Sequence, residues 1–175
     1  MNCPISEDEF TRLLRNFDHT SFRLEAQSAY AIGEEREEFE RFLAGSPRSP
    51  REISWWREWL DEATTATRQG KRISRIRVIP DSGPTDYQRW LMLADPFYEA
   101  AGVEIRYLPH RRAKQVGMPA HDWYLLDDER LIIMPFTPDG EPGPKELVTD
   151  LLPEYRLWRA LAVFYSAPIS QTSAA

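Results

Sequence analysis

A chain of 175 residues, 42% hydrophobic, is the size of one domain with a substantial core and is too short for two comfortable ones. Its 29% charged residues and its load of six Trp, seven Tyr and eight Phe exclude disorder for the body of the chain, and with Cys3 as the only cysteine no intramolecular disulfide can form. Net charge is −6, yet the stretch from Arg68 to Lys114 carries ten Lys/Arg against five Asp/Glu, a local +5 that leaves −11 for the remainder. The split reads first as two solvated faces of different composition and second as a central region facing an anion, phosphate or nucleic acid. The start MNCPISEDEF has neither a basic region nor an apolar core, and no stretch approaches the apolar length of a membrane span, so a cytoplasmic protein without a membrane segment is expected.

Ser6 with Glu9 three residues on makes a capping box, and Phe10, Leu13, Leu14 and Phe17 recur at helical spacing, which predicts a first helix. Phe22, Leu24 and Ala26, with Tyr30 and Ile32 further on, alternate as one or two short strands would. GEEREEFERFLAG predicts a second helix with Phe39 and Leu43 as apolar anchors and Gly45 as its stop. SPRSPR at 46–51 reads as a linker between an acidic amino-terminal layer (6–45) and a main body (50–168). Ser49, Pro50 and Glu52 then supply an N-cap, a proline at the first helical position and a capping-box glutamate for a long helix ending near Gln69, closed by Gly70.

ISRIRVI (73–79) is a strand rich in branched apolar residues, and a helix through Tyr87, Trp90, Leu91 and Ala94 follows, kinked or restarted at Asp95-Pro96 and ended by Gly102. VEIRYL (103–108) is the next strand, so the three elements predict a right-handed βαβ unit with parallel strands. After HRRAKQVGMPA, the runs DWYLLD and RLIIMPF predict an antiparallel hairpin across Asp128-Glu129. A loop at TPDGEPGPKE leads to a last helix over about 145–166, with Pro153 as a kink, and residues 169–175 are expected to form a flexible tail. The fold class this predicts is α/β, a central mixed sheet of about five strands flanked by helices, with a helical amino-terminal layer.

His121, Trp123 and Asp128 stand at the spacing of H-x-K-x4-D, with tryptophan in place of lysine. This stretch, together with the order βαβ, histidine strand and hairpin partner over roughly residues 72–136, resembles the phospholipase D-like fold. The resemblance implies a histidine nucleophile at His121 with Asp128 as its motif aspartate. The lysine is replaced by an indole with one neutral donor, and the polar Gly-Ser-x-Asn-like run that follows the aspartate in that family is here Glu129 to Pro135, so the phosphodiesterase machinery is degenerate.

FDHTSFRLEAQSAY, EEREEFERFLAG, the tryptophan-rich helix, RIRVIPDSGPTDYQRW, AGVEIRYLP and MPAHDWYLLDD resemble, over nearly the whole chain, an uncharacterised actinobacterial family. That resemblance implies an intracellular protein, often encoded beside XRE-type helix-turn-helix regulators and small acidic partners, with a regulatory or partner-binding role.

Arg75 and Arg77 share one strand face, and Tyr87, Arg89 and Trp90 open the crossover helix, so PDSGPTDYQRW is the best place for a small anionic ligand; surface ion pairs and core aromatics are the simpler reading. Arg77 and Arg106 are the two conceivable substitutes for the missing lysine. In WWREW, Trp55 and Trp59 share a face with Trp56 beside them, which predicts core packing for at least two of the three and otherwise a protein-binding patch. His19 and His110 lack ligand-type spacing, so neither a metal nor another cofactor is expected, and no Walker, dinucleotide or G-x-S-x-G pattern occurs. The expected function is a non-catalytic intracellular binding or regulatory protein acting through a protein partner, with a helix-turn-helix regulator as one candidate. A homodimer is expected under the phospholipase D-like alternative, whose single-motif members complete their site across two subunits. Nucleic-acid binding by so acidic a chain is not expected, and the alternative is a phospholipase D-like phosphodiesterase or nuclease.

Overall fold

The computed structural model describes residues 2–168, and the expected flexible tail, 169–175, lies outside them. Among the described residues one mixed sheet has seven strands: β1 (Asn2–Pro4), β2 (Thr20–Glu25), β3 (Arg72–Ile79), β4 (Val103–Pro109), β5 (Asp122–Leu126), β6 (Arg130–Met134) and β7 (Glu146–Val148), in the spatial order β1-β7-β6-β5-β2-β3-β4. β2, β3 and β4 are parallel, and every other pairing is antiparallel. The expectation of about five strands is therefore corrected to seven. The two extra strands, β1 and β7, are three-residue edge pieces too short to show alternation, and they exist through their pairing with each other and with β6.

The helices are α1 (Glu7–Arg15), α2 (Arg36–Leu43), α3 (Ser54–Arg68), α4 (Asp86–Met92), α5 (Asp95–Ala100), α6 (His110–Gln115) and α7 (Leu152–Tyr165). The Ser6 hydroxyl accepts from the Glu9 N–H at 3.2 Å, the N-cap half of the expected capping box. The Ser49–Glu52 capping box also forms, but it closes only a single 3-10 turn, Pro50–Glu52, because Ile53 is extended and α3 starts after it. Gly70, at φ +86, ends α3: its N–H and that of Lys71 return to the carbonyls of Thr67 and Ala66. The last helix starts at Leu152, not near 145, since Glu146–Val148 is spent on the sheet and Pro153 suits the first turn of a helix rather than its middle. Beyond it, Ala167 pairs with Tyr107 on the β4 edge.

Helices cover both faces. On one, Leu13 of α1 and Phe17 just after it pack against Tyr124, Leu126 and Ile132, while α3, α4 and α5 pack Trp56, Leu60, Trp90 and Tyr98 against β3 and β4. On the other, α6 and α7 set Ala113, Tyr155 and Ala162 over Phe22, Leu24, Ile76, Trp123 and Leu125. β2 comes from the segment expected to form an amino-terminal layer, yet it lies mid-sheet between β5 and β3. Among the described residues no helix is long and apolar enough to cross a membrane.

Candidate functional site

The strand period of two decides where charge is buried. In β2, Phe22 and Leu24 face α7, so Arg23 and Glu25 face α3; in β3, Ile76 and Val78 face α7 and Arg75 and Arg77 the other way. Register sets Arg23 beside Arg75 and Tyr124, Glu25 beside Arg77, and Arg77 beside Tyr107. The result is a charged layer under α3 and α5. Glu25 accepts from Arg77 Nε at 2.7 Å and Arg75 Nη1 at 2.8 Å and lies 3.4 Å from Arg23 Nε. Arg77 Nη1 also donates to Asp95 at 2.8 Å, and Asp95 in turn accepts from the Tyr107 hydroxyl. Asp122, fully buried, accepts from the Tyr30 hydroxyl at 2.6 Å, the Ala26 N–H at 2.8 Å and Arg23 Nη2 at 3.3 Å.

Three guanidiniums and three carboxylates balance, which is how so many charges are tolerated where desolvation is costly. Burial by itself would raise the Glu25 carboxyl, but Arg75, Arg23 and Arg77 outweigh it and hold it at about 2. For Asp95 and Asp122, each with one arginine, burial prevails and raises the carboxyl.

Between α1 and α3 the same layer opens into a groove of about 670 Å³ floored by Arg23, Arg75 and Tyr124 and walled by Trp55, Trp59 and Leu14. Trp56 is the tryptophan of this helix that enters the core, where its indole N–H donates to the Tyr98 hydroxyl at 2.6 Å. Trp55 and Trp59, the pair expected to share a core face, are only partly buried and line the groove.

The expected anion site at PDSGPTDYQRW is occupied by the protein's own groups. Tyr87 is buried with its hydroxyl on Glu35, Trp90 is core, and Arg89 pairs outward with Asp86 at 2.7 Å. Arg77 is 1% exposed inside the charged layer. Arg106 points to the opposite face, where it holds the end of α7 through the Ser166 carbonyl at 2.7 Å. The basic stretch 68–114 does not become one patch: Arg68, Lys71 and Arg72 lie at the amino end of β3, whereas Arg111, Arg112 and Lys114 follow the carboxyl end of β4, about 25 Å of strand away.

His121 and Asp128 also part company. His121 precedes β5 and its Nε2 meets the Tyr155 hydroxyl at 2.6 Å; burial lowers its pKa. Asp128 lies beyond the far end of β5, about 17 Å of strand away, paired with Arg159. Trp123, fully buried, packs at 4.9 Å from the Phe22 ring and 5.0 Å from that of Tyr155. The hairpin turn is a structural hub: Asp127, at φ 54, accepts from the backbone N–H groups of Asp18, His19 and Thr20 at 2.9, 2.7 and 2.9 Å. Exposed His19 precedes β2 and exposed His110 opens α6, and no group of three His, Cys, Asp or Glu among the described residues could hold a metal.

α7 is apolar on both sides. Tyr155 and Ala162 face the sheet, while Leu157 and Phe164, two turns apart, are 59% and 77% exposed on its outer side, and Val163 on its flank is 43% exposed. Helices apolar all round are normally covered all round.

A family profile for a domain of unknown function, DUF6879, matches residues 8–173. The chain belongs to this family. A search of curated proteins finds no match. The DUF6879 span takes in the charged layer, the groove and α7 alike. Of the charged layer, sequence reasoning singled out Arg75 and Arg77 and missed Arg23, Glu25, Asp95, Asp122 and their tyrosines. One signal was available: FRLE and ISRIRVI alternate apolar residues with charges of both signs, the pattern of strands whose polar face is covered and paired.

Proposed function

We propose that the protein is a non-catalytic intracellular binding or regulatory protein that acts through a protein partner seated on the outer side of α7. The observation that carries this reading is the pair Leu157 and Phe164, two turns apart and exposed together on a helix whose other side is already packed. Large apolar side chains exposed together are what interfaces, rather than solvated faces, are made of. The buried charges support it too: each carboxylate of the charged layer is bound to arginine, and none is left as a free base beside an open cavity. The alternative, a phospholipase D-like phosphodiesterase or nuclease, gains nothing from the geometry. Its nucleophile would be bonded to Tyr155, its two substitute cations lie on β3 and β4, and Arg77 is sealed on the opposite sheet face.

The test is a benzophenone amino acid at position 164 in the native host. Cross-linking to one identified protein, absent when the same group is placed at exposed Glu37 on α2, is the expected result. Absence of any cross-link from position 164 contradicts the reading.

A further inference from the structure

The groove between α1 and α3 lies on the sheet face opposite α7, so what it does is independent of the partner proposed there. Arg23 and Arg75 of the charged layer floor it, Arg77 lies behind them, and the three differ in availability. Arg77 has Nε on Glu25 and Nη1 on Asp95 and is closed off at 1% exposure. Arg23 is shared among Tyr124, Asp122 and Glu25. Arg75 is otherwise: only Nη1 is engaged, on Glu25 at 2.8 Å, and its Nε and Nη2 donate to no acceptor among the described residues. Its side chain keeps 12% exposure and lines the groove.

Nε and Nη2 together form the side-on edge of a guanidinium, whose two parallel N–H bonds match the two oxygens of a carboxylate. The edge is held in place, because Glu25 fixes the other side of the group and the rings of Trp59 and Tyr98 lie 5.2 and 5.5 Å from its carbon. A preorganised fork at the bottom of a small-molecule-sized cavity is a recognition element that costs little ordering on binding. The walls select the rest of the ligand: Trp55, Trp59, Leu14 and Ile73 offer flat apolar surface. The rim selects charge. Arg15 and Lys71 line the groove beside Glu58, Asp61 and Glu62, but Arg15 pairs with Glu62 at 2.8 Å and Lys71 donates to the Phe17 carbonyl at 2.5 Å, so one negative charge is matched by the fork while a second would meet Glu58 and, beneath, Glu25.

We propose that this groove binds a small organic monocarboxylate with a flat apolar body, the carboxylate on the Nε/Nη2 edge of Arg75 and the body against Trp59. The test is titration of the full chain with naphthoate, read by calorimetry and by the arginine Nε–H resonances. Saturable binding that shifts the Arg75 Nε–H is the expected result, weakened about tenfold or more in Arg75→Lys, which keeps the charge and loses the fork. The groove-filling variant Leu14→Trp should weaken it equally and decides the matter if Arg75→Lys does not fold, since Leu14 is only partly buried and outside the charged layer. Naphthamide and naphthyl phosphate present the same ring without charge and with two charges, and both should bind more weakly than naphthoate. No binding at millimolar naphthoate, equal binding of naphthamide, tighter binding of naphthyl phosphate, or unchanged affinity in Leu14→Trp overturns the assignment.

Discussion

Replacing Glu25 by glutamine removes one charge from the centre of the charged layer and almost nothing of its shape. The carboxylate is 3% exposed and serves Arg77, Arg75 and Arg23 at 2.7, 2.8 and 3.4 Å. Burial opposes its ionisation, and the three guanidiniums still bring it from an ordinary 4.5 to about 2. At roughly 1.4 kcal/mol per pH unit that difference corresponds to about 3 kcal/mol. Breaking one side of a buried ion pair costs about 3–5 kcal/mol, so both routes agree on a loss of about 3 kcal/mol at pH 7. The folded-state pKa lies below the unfolded one, so the stabilisation is whole above the ordinary value of 4.5 and fades as pH falls towards about 2. Asp95 and Asp122, raised by burial, act in the opposite sense, and taking the difference between wild type and Glu25→Gln at each pH removes most of their contribution. Urea unfolding followed by tryptophan fluorescence measures that difference. It should fall to less than about half its neutral value by about pH 3. A loss below about 1 kcal/mol at neutral pH, or one that does not change with pH, would refute the reasoning.

Trp123→Ala should destabilise by about 3–5 kcal/mol, since the side chain is fully buried beneath Tyr155, and Trp123→Phe should cost clearly less because the indole N–H has no partner among the described residues; equal losses in urea unfolding would count against this packing. Asp127→Ala should cost about 2–4 kcal/mol by leaving three backbone N–H groups and Arg130 without their acceptor. Burial notwithstanding, those donors hold the Asp127 carboxyl at about 2, so this difference too should shrink as wild type is taken below about pH 4, and a constant difference would contradict it. The purified protein should not hydrolyse bis(p-nitrophenyl) phosphate, and His121→Ala should behave the same; turnover lost in His121→Ala would restore the phosphodiesterase.

Elements whose signal is local were legible in the sequence. The Ser6 N-cap, the βαβ unit and the hairpin follow from caps, periodicity and turns within a few residues, and they stand where expected, although Glu9 does not close the reciprocal half of a capping box. β1 and β7 were not legible, because Asn2–Pro4 and Glu146–Val148 become strands only by meeting across most of the chain, and Leu147 fits a helical period equally well. Tyr30, whose alternation with its neighbours predicts a strand, lies instead in the loop after β2, where its hydroxyl reaches Asp122. The site was half visible for the same reason. Alternation shows which face Arg75 and Arg77 share, but not that Glu25 and Asp95 come from other elements to neutralise them, nor that α3 and α1 leave Arg75 lining a groove.

The central claim, that the protein works by docking a partner on α7 and not by chemistry at His121, is tested most directly by co-purification of the cross-linked partner with three forms of the chain. Wild type and His121→Ala should retain the partner in equal amount, and Leu157→Glu/Phe164→Glu, which alters only exposed side chains, should lose it while remaining folded. Retention by the α7 variant together with loss in His121→Ala would contradict the account.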